Sequence, residues 1–340
     1  MVLEKDVDIT NLNGLRINSK ASYLSKISSL DDLKETTNFA QKESLLMLPM
    51  GHGTNTIWGK DYIDKLIAEI KIPGFEIIKE NSEETFIKIG AGEDWDKCVE
   101  RAVDLNLSGI EALSAIPGTA GATPVQNVGA YGTEISETLY SLSAYDVVDK
   151  REVEILNNDC CFEYRNSIFK NKARNKLIIT SITLRLSKSR PTIPNYKDVS
   201  AYFTKIGINN PNLQEIRNAI IQIRNRKLPN PKVIPNCGSF FKSPILTKEE
   251  AILIINKFPN IPYYTDSTNI KFPAGWLIES AGLKGHSFGH IVISPNHSLV
   301  LTSPEGMASP DELMQAVEEI RGIIRSKFNI ELEIEPGIIY

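Results

Sequence analysis

The sequence predicts an α+β fold with more than one domain. Short apolar strands and amphipathic helices are interspersed along all 340 residues, but they rarely alternate as the strand–helix–strand units of a doubly wound sheet. A chain of this length is typical of two or three domains. A third observation is the apolar strand predicted at 45–50, which runs directly into the glycine-containing turn 51–55. Mixed strands and helices with ligand-binding turns are therefore expected.

The composition excludes several classes of protein. There are 38 Lys and Arg against 42 Asp and Glu, giving a net charge of −4, with 24% charged and 41% hydrophobic residues. These are ordinary globular values without the basic excess of a nucleic-acid-binding protein. No apolar run approaches the ~18 residues of a membrane span, and the N-terminus lacks the apolar core of a signal peptide. The four cysteines form no CxxC pair, so a reduced cytoplasmic protein without nucleic-acid or membrane partners is expected.

Capping residues and apolar periodicity predict the elements of the N-terminal half. Ser29, with Asp32 three residues later, is typical of a helix start and predicts a helix over 29–42. Apolar residues at helical spacing predict a second helix: Trp95, Cys98, Val99, Ala102 and Val103. Short apolar runs predict strands at 45–50, 75–78, 85–89, 139–148, 153–156 and 177–186.

In the C-terminal half, the apolar pattern first lapses over 187–198, a polar stretch with prolines that predicts a domain boundary or a mobile loop. Helices are predicted over 212–227, 247–257 and 310–327. The last of these has the clearest start, because Ser309 suits the N-cap, Pro310 the first helical position and Glu312 the third. Strands are predicted at 290–294, 298–302 and 330–335.

The stretch 109–132, GIEALSAIPGTAGATPVQNVGAYG, is unusual in composition. It holds five of the 21 glycines and one charged residue, Glu111, whereas a charged fraction of 24% would place about six charges in 24 residues. Glycine lets backbone N–H groups approach a ligand closely, and successive N–H groups can form an anion-binding concavity. Together with the turn 51–55, the stretch indicates a cradle for a diphosphate with an attached apolar ring. Tight turns in a packed core are the alternative.

Other motifs are absent or incomplete. There is no G-x-x-x-x-G-K-[ST] phosphate loop, and Trp95 stands where the run 90–92 would need a third glycine for a dinucleotide fingerprint. His286 and His290 lie among glycines rather than on a helix, so no metal site is predicted. Ser239 has no local His or Asp partner, which disfavours a nucleophilic triad. Two interpretations stay open for it: a proton donor to a developing carbanion, or a serine that satisfies a turn.

Six stretches of the sequence carry a resemblance to a known family. They are GHGTN at 51–55, IPGTAGATPVQNVGAYG at 116–132, CCFEYRNSIFK at 160–170, KLPNPKVIPNCGSFFKSP at 227–244, FPAGWLIESAGLKG at 272–285 and ELEIEPGIIY at 331–340. In this order, over nearly the whole chain, they resemble the UDP-N-acetylenolpyruvoylglucosamine reductase (MurB) family, flavoenzymes of peptidoglycan precursor synthesis. Ser243 departs from the pattern, since the family commonly has Asn there.

The resemblance implies a two-lobed FAD-binding module of the vanillyl-alcohol-oxidase (p-cresol methylhydroxylase) type and a C-terminal α/β substrate-binding domain. The expected boundaries are 1–60 for the first lobe, with 311–340 returning to it, 61–203 for the second lobe and 204–310 for the substrate-binding domain. The resemblance also implies the long form of the family, in which the stretch 191–202 carries Tyr196 on a loop that folds over bound substrate.

The resemblance further implies the reaction. FAD, bound non-covalently, would take hydride from NADPH and reduce UDP-N-acetylglucosamine enolpyruvate to UDP-N-acetylmuramate in a ping-pong sequence, a UDP-N-acetylmuramate dehydrogenase activity. Arg165 would stabilise the enolate, Ser239 would protonate the adjacent carbon and Glu335 would support that intermediate. NADPH and the sugar nucleotide are the expected partners of a cytoplasmic monomer.

The same resemblance implies binding positions in both glycine-rich stretches and around them. The positions expected to hold FAD are Gly51, His52, Gly53, Thr54, Asn55, Pro117, Gly118, Gly121, Ala122, Thr123, Gln126, Asn127, Gly129, Ala130 and Gly132. The positions expected to face the substrate are Tyr164, Tyr196, Arg224, Lys227, Ser243 and His297.

Two alternative functions stay open. One is a different oxidoreductase on the same FAD-binding module, with flavin attached covalently through His52; flavin that stays with the denatured chain would support it. The other is a non-catalytic binder of sugar nucleotides. A yellow protein that oxidises NADPH only when the enolpyruvyl sugar nucleotide is present would exclude the second alternative.

Overall fold

The computed structural model describes residues 2–265 and 268–340. The chain folds into helices and mainly antiparallel sheets, which confirms the predicted α+β class. Contacts divide it into two compact units. The first unit comprises Met1–Val7, Ala21–His52 and Asp64–Arg224, and the second comprises Asp8–Lys20, Gly53–Ile63 and Asn225–Tyr340. The division into three domains at 60, 203 and 310 stays a prediction.

Seven α-helices lie in the described residues. They are α1 Leu30–Lys42, α2 Trp95–Asp104, α3 Lys197–Ile206, α4 Leu213–Lys227, α5 Lys248–Lys257, α6 Ala274–Ser280 and α7 Pro310–Phe328.

The strands of the described residues range from two to eleven residues in length. They are β1 Val2–Asp8, β2 Lys20–Ile27, β3 Met47–Met50, β4 Thr56–Trp58, β5 Tyr62–Ile70, β6 Phe75–Glu80, β7 Glu84–Gly90, β8 Gly129–Ala130, β9 Thr133–Glu134, β10 Leu139–Asp146, β11 Arg151–Leu156, β12 Leu177–Ser187, β13 Asn236–Ser239, β14 Ile245–Thr247, β15 Tyr264–Thr265, β16 Asn269–Lys271, β17 Ser287–Phe288, β18 Ile291–Ile293, β19 Val300–Thr302 and β20 Gly337–Ile339.

The first unit is built on two larger sheets. One has the strand order β1-β2-β5-β3, in which β3 and β5 run parallel with Met47 opposite Leu66. The other is an antiparallel sheet of order β11-β10-β12-β7-β6, with β12 at its centre. The five apolar residues that predicted α2 are all buried in the core beside this sheet, which confirms the helical periodicity. This core supports the glycine-rich stretch.

The second unit has one four-stranded antiparallel sheet of order β13-β19-β18-β17 and a three-stranded sheet of order β14-β16-β15. The helix α7 packs its apolar face into the core of this unit, where Leu313, Val317 and Ile320 are fully buried. Its N-terminus has the predicted geometry: Ser309 Oγ accepts the N–H of Glu312, and the Glu312 side chain accepts the N–H of Ser309. The sheet edge at β13 carries Ser239.

The strand predicted over 330–335 is wrong. The last strand is β20, Gly337–Ile339, which pairs in parallel with β4. Ile330 and Leu332 are buried and the intervening Glu331 and Glu333 are exposed, so the alternation that suggested a strand is present. The segment pairs with the residues around Phe241 through a single β-bridge, Phe241 with Ile334. One bridge does not make a regular β-ladder.

The polar stretch 187–198 leads into α3, which begins at Lys197, and α3 and α4 share a small core of their own in the first unit. No helix of the described residues is long and apolar enough to cross a membrane. Across 2–265 and 268–340, no three His, Cys, Asp or Glu side chains cluster in a way that could hold a metal ion.

Candidate active site

Glycines in the first unit allow unusually close approaches between backbone segments. A Cβ atom added to Gly51 would lie 2.3 Å from Oγ1 of Thr119, and one added to Gly121 would lie 2.4 Å from Cβ of Ala91. These distances are far inside van der Waals contact, so a larger residue would displace its neighbour. The turn after β3 and the stretch 116–132 are therefore packed closely together.

The start of α2 holds the glycine-rich stretch in place. Trp95 donates its backbone N–H to Gly118 (3.1 Å) and its indole N–H to Leu113 (3.1 Å). The N–H of Ala120 in turn reaches the carbonyl of Glu93 (2.8 Å). These hydrogen bonds connect residues 93–95 with residues 113–120 of the stretch. The stretch is therefore held in a defined conformation rather than forming a flexible loop. Trp95 could be found from the sequence as a core residue, but its bonds to the stretch could not.

The one carboxylate within the stretch 109–132, that of Glu111, accepts a hydrogen bond from the backbone of the same stretch. Glu111 is 8% exposed, and its Oε2 accepts the N–H of Gly109 at 2.6 Å. Burial raises the pKa of this carboxyl group, although backbone N–H groups partly offset that shift. An anionic ligand along the stretch would therefore meet glycine backbone rather than exposed negative charge, which fits a diphosphate-containing cofactor.

Asn127 shapes the stretch through its side chain. It is 1% exposed and adopts a left-handed backbone conformation, with φ of 47°. Its Nδ2 donates to Oε2 of Glu134 (2.6 Å) and to the carbonyl of Glu163 (3.2 Å), and its Oδ1 accepts the N–H of Ser136 (3.2 Å). Both amide hydrogens are thus used internally. Any role of Asn127 toward a cofactor runs through its backbone or through the shape that it imposes.

Arg165 is carried on a tight hairpin of the first unit. Glu163 and Asn166 bond each other's backbone there, and Arg165 itself has a left-handed φ of 53°. Its Nη2 donates to the carbonyl of Gly129 at 2.9 Å, and its Nη1 lies 4.0 Å from Oε1 of Glu134. The side chain is 19% exposed. The structure therefore brings the predicted catalytic arginine onto the predicted cofactor-binding stretch.

Tyr164, Tyr196 and Arg224 also lie in the first unit. The Arg165 guanidinium sits 5.2 Å from the ring centre of Tyr164, and the Tyr196 ring packs edge-on against Tyr131 at 5.2 Å. Arg224 donates Nε–H to the carbonyl of Ala115 at 3.2 Å. Burial lowers the pKa of the Arg224 guanidinium and raises the pKa of the Tyr131 phenol, which is hydrogen-bonded to it. Tyr131 was not among the predicted site residues, although its neighbours Ala130 and Gly132 were.

In the second unit, Ser239 is held between two neighbouring segments. It ends β13 opposite Val300 of β19. The next residue, Phe240, donates its N–H to Leu299 (2.8 Å), and its carbonyl accepts the N–H of Glu335 (2.9 Å). The structure thus brings the predicted Ser239 and Glu335 into adjacent chain segments, although they are 96 residues apart in sequence.

Two residues of these adjacent segments, Cys237 and Glu335, are buried. Cys237 is 8% exposed and Glu335 is 9% exposed. Burial, with a smaller contribution from the negative charge of Glu335, raises the pKa of the Cys237 thiol to about 12. The thiol therefore stays protonated near neutral pH and is not a nucleophile.

The remaining predicted positions are spread over the second unit. Ser243 Oγ accepts the N–H of Ala274 at 3.4 Å, at the start of α6. His297 Nδ1 accepts the N–H of Leu299 at 3.3 Å, in the turn before β19. Lys227 ends α4. Of the FAD positions, Gly53, Thr54 and Asn55 belong to this unit, where the Asn55 carbonyl accepts the N–H of Gly337 at 3.0 Å, whereas Gly51 and His52 belong to the first unit.

Comparisons with known proteins define the class first. A family model for an FAD-binding domain matches residues 21–154, and p-cresol methylhydroxylase has the same overall fold, with a TM-score of 0.50 at 11% identity over 97% of this chain and 84% of that one. The protein is therefore a flavoprotein with an FAD-binding module of the p-cresol methylhydroxylase type. A second family model, the C-terminal domain of UDP-N-acetylenolpyruvoylglucosamine reductase, matches residues 229–339.

The chain belongs to the UDP-N-acetylenolpyruvoylglucosamine reductase family. It is 39% identical to the enzyme of that name from Flavobacterium johnsoniae over the full length of both chains. It is 35% identical to the one from Dechloromonas aromatica, covering 97% of this chain and 98% of that protein. The crystal structure of the Thermus caldophilus reductase has the same fold, with a TM-score of 0.71 at 19% identity and full coverage of both chains.

Proposed function

We propose that the protein is a UDP-N-acetylmuramate dehydrogenase, which reduces UDP-N-acetylglucosamine enolpyruvate to UDP-N-acetylmuramate with NADPH. Family membership over the full chain and the FAD-binding domain support the class of reaction. The single observation that carries the assignment is the pairing of 240–242 with 333–335, which puts the Ser239 and Glu335 segments side by side. A bound flavin would supply hydride transfer from NADPH to the enolpyruvyl double bond.

The first unit has residues that suit the cofactor. The backbone of 51–52 and of 117–132 would hold FAD, because the glycines allow close approach and the Glu111 carboxylate is turned away onto Gly109. Positions 53–55 are also proposed to contribute backbone contacts to FAD. Asn127 would act by shaping the stretch, since its amide hydrogens are bonded to Glu134 and to the carbonyl of Glu163.

Ser239 would act as the proton donor of the second half of the reaction. When hydride adds to the methylene carbon of the enolpyruvyl group, the electron pair of the double bond moves to the carbon that bears the carboxylate. Ser239 Oγ–H would protonate that carbon, leaving an alkoxide that regains its proton from water. A hydroxyl without a base partner is unsuited to nucleophilic attack but suited to this proton transfer.

Arg165 would stabilise the negative charge that develops before protonation. The planar guanidinium of Arg165 matches both oxygens of a carboxylate, and its bond to Gly129 fixes its orientation. Glu335 is proposed to support the same intermediate, either as a protonated carboxyl group or through another group. Tyr164, Tyr196, Arg224, Lys227, Ser243 and His297 are proposed to contact the sugar nucleotide, and we propose that the enzyme works as a monomer in the cytoplasm.

The test follows flavin absorbance by stopped flow through both half-reactions. In Ser239→Ala, NADPH should still bleach the flavin, whereas reoxidation by the enolpyruvyl substrate should slow by about 10²–10⁴-fold. Ser287→Ala, which alters an exposed strand serine of the same unit, is the matched control and should behave as wild type. Wild-type reoxidation in Ser239→Ala would overturn the assignment. Flavin that remained with the denatured chain would favour covalent attachment at His52 instead.

A further inference from the structure

The strand that carries Ser239 contains an extra residue. Along β13, Asn236 lies opposite Thr302, but Ser239 lies opposite Val300. Ser239 is three residues after Asn236, whereas their partners on β19 are only two residues apart. The extra residue forms a β-bulge. Within it, Gly238 has a left-handed φ of 73°, which side-chain-bearing residues adopt rarely. The bulge decides the direction in which the following side chain, Ser239, leaves the strand.

Asn236 maintains this bulge with its side chain. It is 6% exposed, and its Oδ1 accepts the N–H of Gly238 at 3.1 Å. Such a bond from an asparagine to the residue two positions later closes a turn that mimics a backbone turn. Its Nδ2 donates to the carbonyls of Ile234 (2.8 Å) and Pro229 (3.2 Å), so the amide cannot rotate away without losing three hydrogen bonds.

The surroundings prevent the bulge from relaxing. Gly14 lies directly against it, because a Cβ atom there would be 2.8 Å from the Asn236 carbonyl oxygen and 2.9 Å from Cα of Cys237. On the other side, Phe240 is bonded to Leu299 and Glu335 through its N–H and carbonyl. The backbone is thus fixed on both sides of Ser239. The side-chain-closed turn holds the residues before it, and the two backbone hydrogen bonds of Phe240 hold the residue after it.

We infer that Asn236 is a positioning residue for the reduction, which sets the orientation of the Ser239 hydroxyl by closing the bulge at Gly238. This inference rests on the proposed role of Ser239 as the proton donor. Misplacement of a reacting group by about 1 Å can cost about 10²-fold in rate, so the loss of the turn should be visible in the step that Ser239 performs. Flavin reduction by NADPH does not use Ser239 and should be unaffected.

The experiment is a double-mutant cycle on the purified holoenzyme, with both half-reactions followed by flavin absorbance. Asn236→Ala should slow reoxidation by the enolpyruvyl substrate by about 10–100-fold while bleaching by NADPH stays within about twofold of wild type. In the Ser239→Ala background, adding Asn236→Ala should change reoxidation by less than about threefold, because interacting residues are not additive. Asn236→Ser, whose hydroxyl can close the same turn more weakly, should give an intermediate rate.

Asn157→Ala is the matched control, since Asn157 also donates its amide to two backbone carbonyls, those of Ser136 and Leu139, and is part of no proposed step. It should leave reoxidation unchanged. A wild-type rate in Asn236→Ala, or an equal slowing by Asn236→Ala with and without Ser239, would overturn the inference while leaving the role of Ser239 intact. Wild-type reoxidation in Ser239→Ala alone would overturn the proposed role of Ser239, and the inference with it. If Asn236→Ala does not yield folded holoenzyme, Asn236→Ser is compared with and without Ser239→Ala, and the same outcomes support or overturn the inference.

Discussion

Arg217 of α4 forms a bidentate ion pair with Asp96 near the start of α2, donating Nη1–H to Oδ1 at 2.6 Å and Nη2–H to Oδ2 at 3.1 Å. The same Oδ1 accepts the N–H of Ala115 at 2.6 Å, and Arg224 donates to the carbonyl of Ala115. Ala115 has a left-handed φ of 58° and stands two residues before Pro117. Asp96 therefore links Arg217 to Ala115 within the glycine-rich stretch, and Arg224 of the same helix contacts Ala115 directly.

Asp96→Asn should destabilise the protein and weaken flavin binding. Arg217 is 5% exposed, so removing the carboxylate leaves a buried charge without its main partner, at a cost of about 1–3 kcal/mol in the free energy of unfolding. Urea unfolding of the apoprotein and flavin titration would measure both effects. Asp149→Asn is the control, because its pair with Arg151 is exposed and should contribute less than about 1 kcal/mol. Equal effects of the two variants would contradict the prediction.

The pH dependence of this ion pair follows from the carboxyl group of Asp96. Burial alone would raise its pKa, but the hydrogen bonds from Arg217 and Ala115 outweigh burial and hold the pKa below its ordinary value. A carboxyl whose pKa is lowered in the folded state stabilises above its unfolded pKa of about 3.9 and loses that contribution as the pH falls through its folded value. The stability difference between wild type and Asp96→Asn should therefore be constant above about pH 5 and should shrink below about pH 4. A difference independent of pH would contradict this account.

Five of the seven α-helices in the described residues are predicted by the sequence because their signals are local, whereas α3 and α6 were missed. Ser29 accepts the N–H of Asp32 at 3.1 Å, as its position predicted, and the helices predicted to start near 212, 247 and 310 are present. The strands β1, β2 and β5 were missed. In β5, charged residues interrupt the apolar alternation, and Glu69 is buried at 6% exposure with Lys71 as its ion-pair partner at 3.1 Å. Such compensation depends on tertiary contacts that a periodicity pattern cannot show.

The candidate site was predictable as a set of motifs but not as a geometry. Ser239 and Glu335 could be named from the resemblance, whereas the pairing that brings their segments together needs the fold. Asn236 carried one local signal, an asparagine two residues before a glycine, which is typical of a side-chain-closed turn. Its importance became visible only through the register of β13 against β19, because the bulge is a property of two strands together.

Gly121→Ala should impair both stability and flavin binding. The new Cβ would lie 2.4 Å from Cβ and 2.9 Å from Cα of Ala91, and neither atom can move by a rotamer change. Overpacking of this kind costs about 1–3 kcal/mol. Thermal unfolding and the ratio of flavin to protein after purification are the measurements. Adding Ala91→Gly to Gly121→Ala should restore part of both values, and no restoration would show that the contact is not the cause.

Gly322→Ala is the control for that substitution. Gly322 lies inside α7, and apart from the adjacent backbone of this helix no atom of the described residues lies within 4 Å of the position that its Cβ would take. Alanine in a helix interior is more favourable than glycine by about 0.5–1 kcal/mol. Gly322→Ala should therefore raise the unfolding temperature slightly and leave the flavin content unchanged.

His290 should titrate above its ordinary range because of Glu312. Its Nδ1 lies 2.9 and 3.1 Å from the two carboxylate oxygens of Glu312, and this hydrogen bond and charge raise the pKa of His290. A group whose pKa is raised in the folded state stabilises below its unfolded pKa, about 6.5, and loses that contribution as the pH rises through the folded value. NMR titration of the ring protons should place the midpoint above 6.5 in wild type and closer to 6.5 in Glu312→Gln. Glu305→Gln should lower it by much less, since Glu305 acts only by weaker charge interaction.

Glu335→Gln should slow flavin reoxidation by the enolpyruvyl substrate with little change in flavin content. Gln preserves the shape of the side chain, and the backbone bond from Glu335 to Phe240 does not involve the carboxylate, so the segment should stay in place. What is lost is the carboxyl group that supports the intermediate protonated by Ser239, and loss of a group that assists proton transfer is typically worth about 10²–10⁴-fold. Stopped-flow absorbance on both half-reactions separates the two steps, and reduction by NADPH should be unaffected.

Glu333→Gln is a matched control for this variant, because it makes the same chemical change two residues earlier. The Glu333 side chain is 71% exposed and pairs with Lys242, whereas Glu335 is 9% exposed beside Cys237. Because the Glu333 carboxylate itself is largely exposed to solvent, its charge is well screened, so Glu333→Gln should reoxidise at the wild-type rate. If both variants slow the step equally, general electrostatics rather than the position of Glu335 is responsible. If Glu335→Gln is purified without flavin, Glu335 is structural, because a residue that acts only on the reaction intermediate has no effect on cofactor retention.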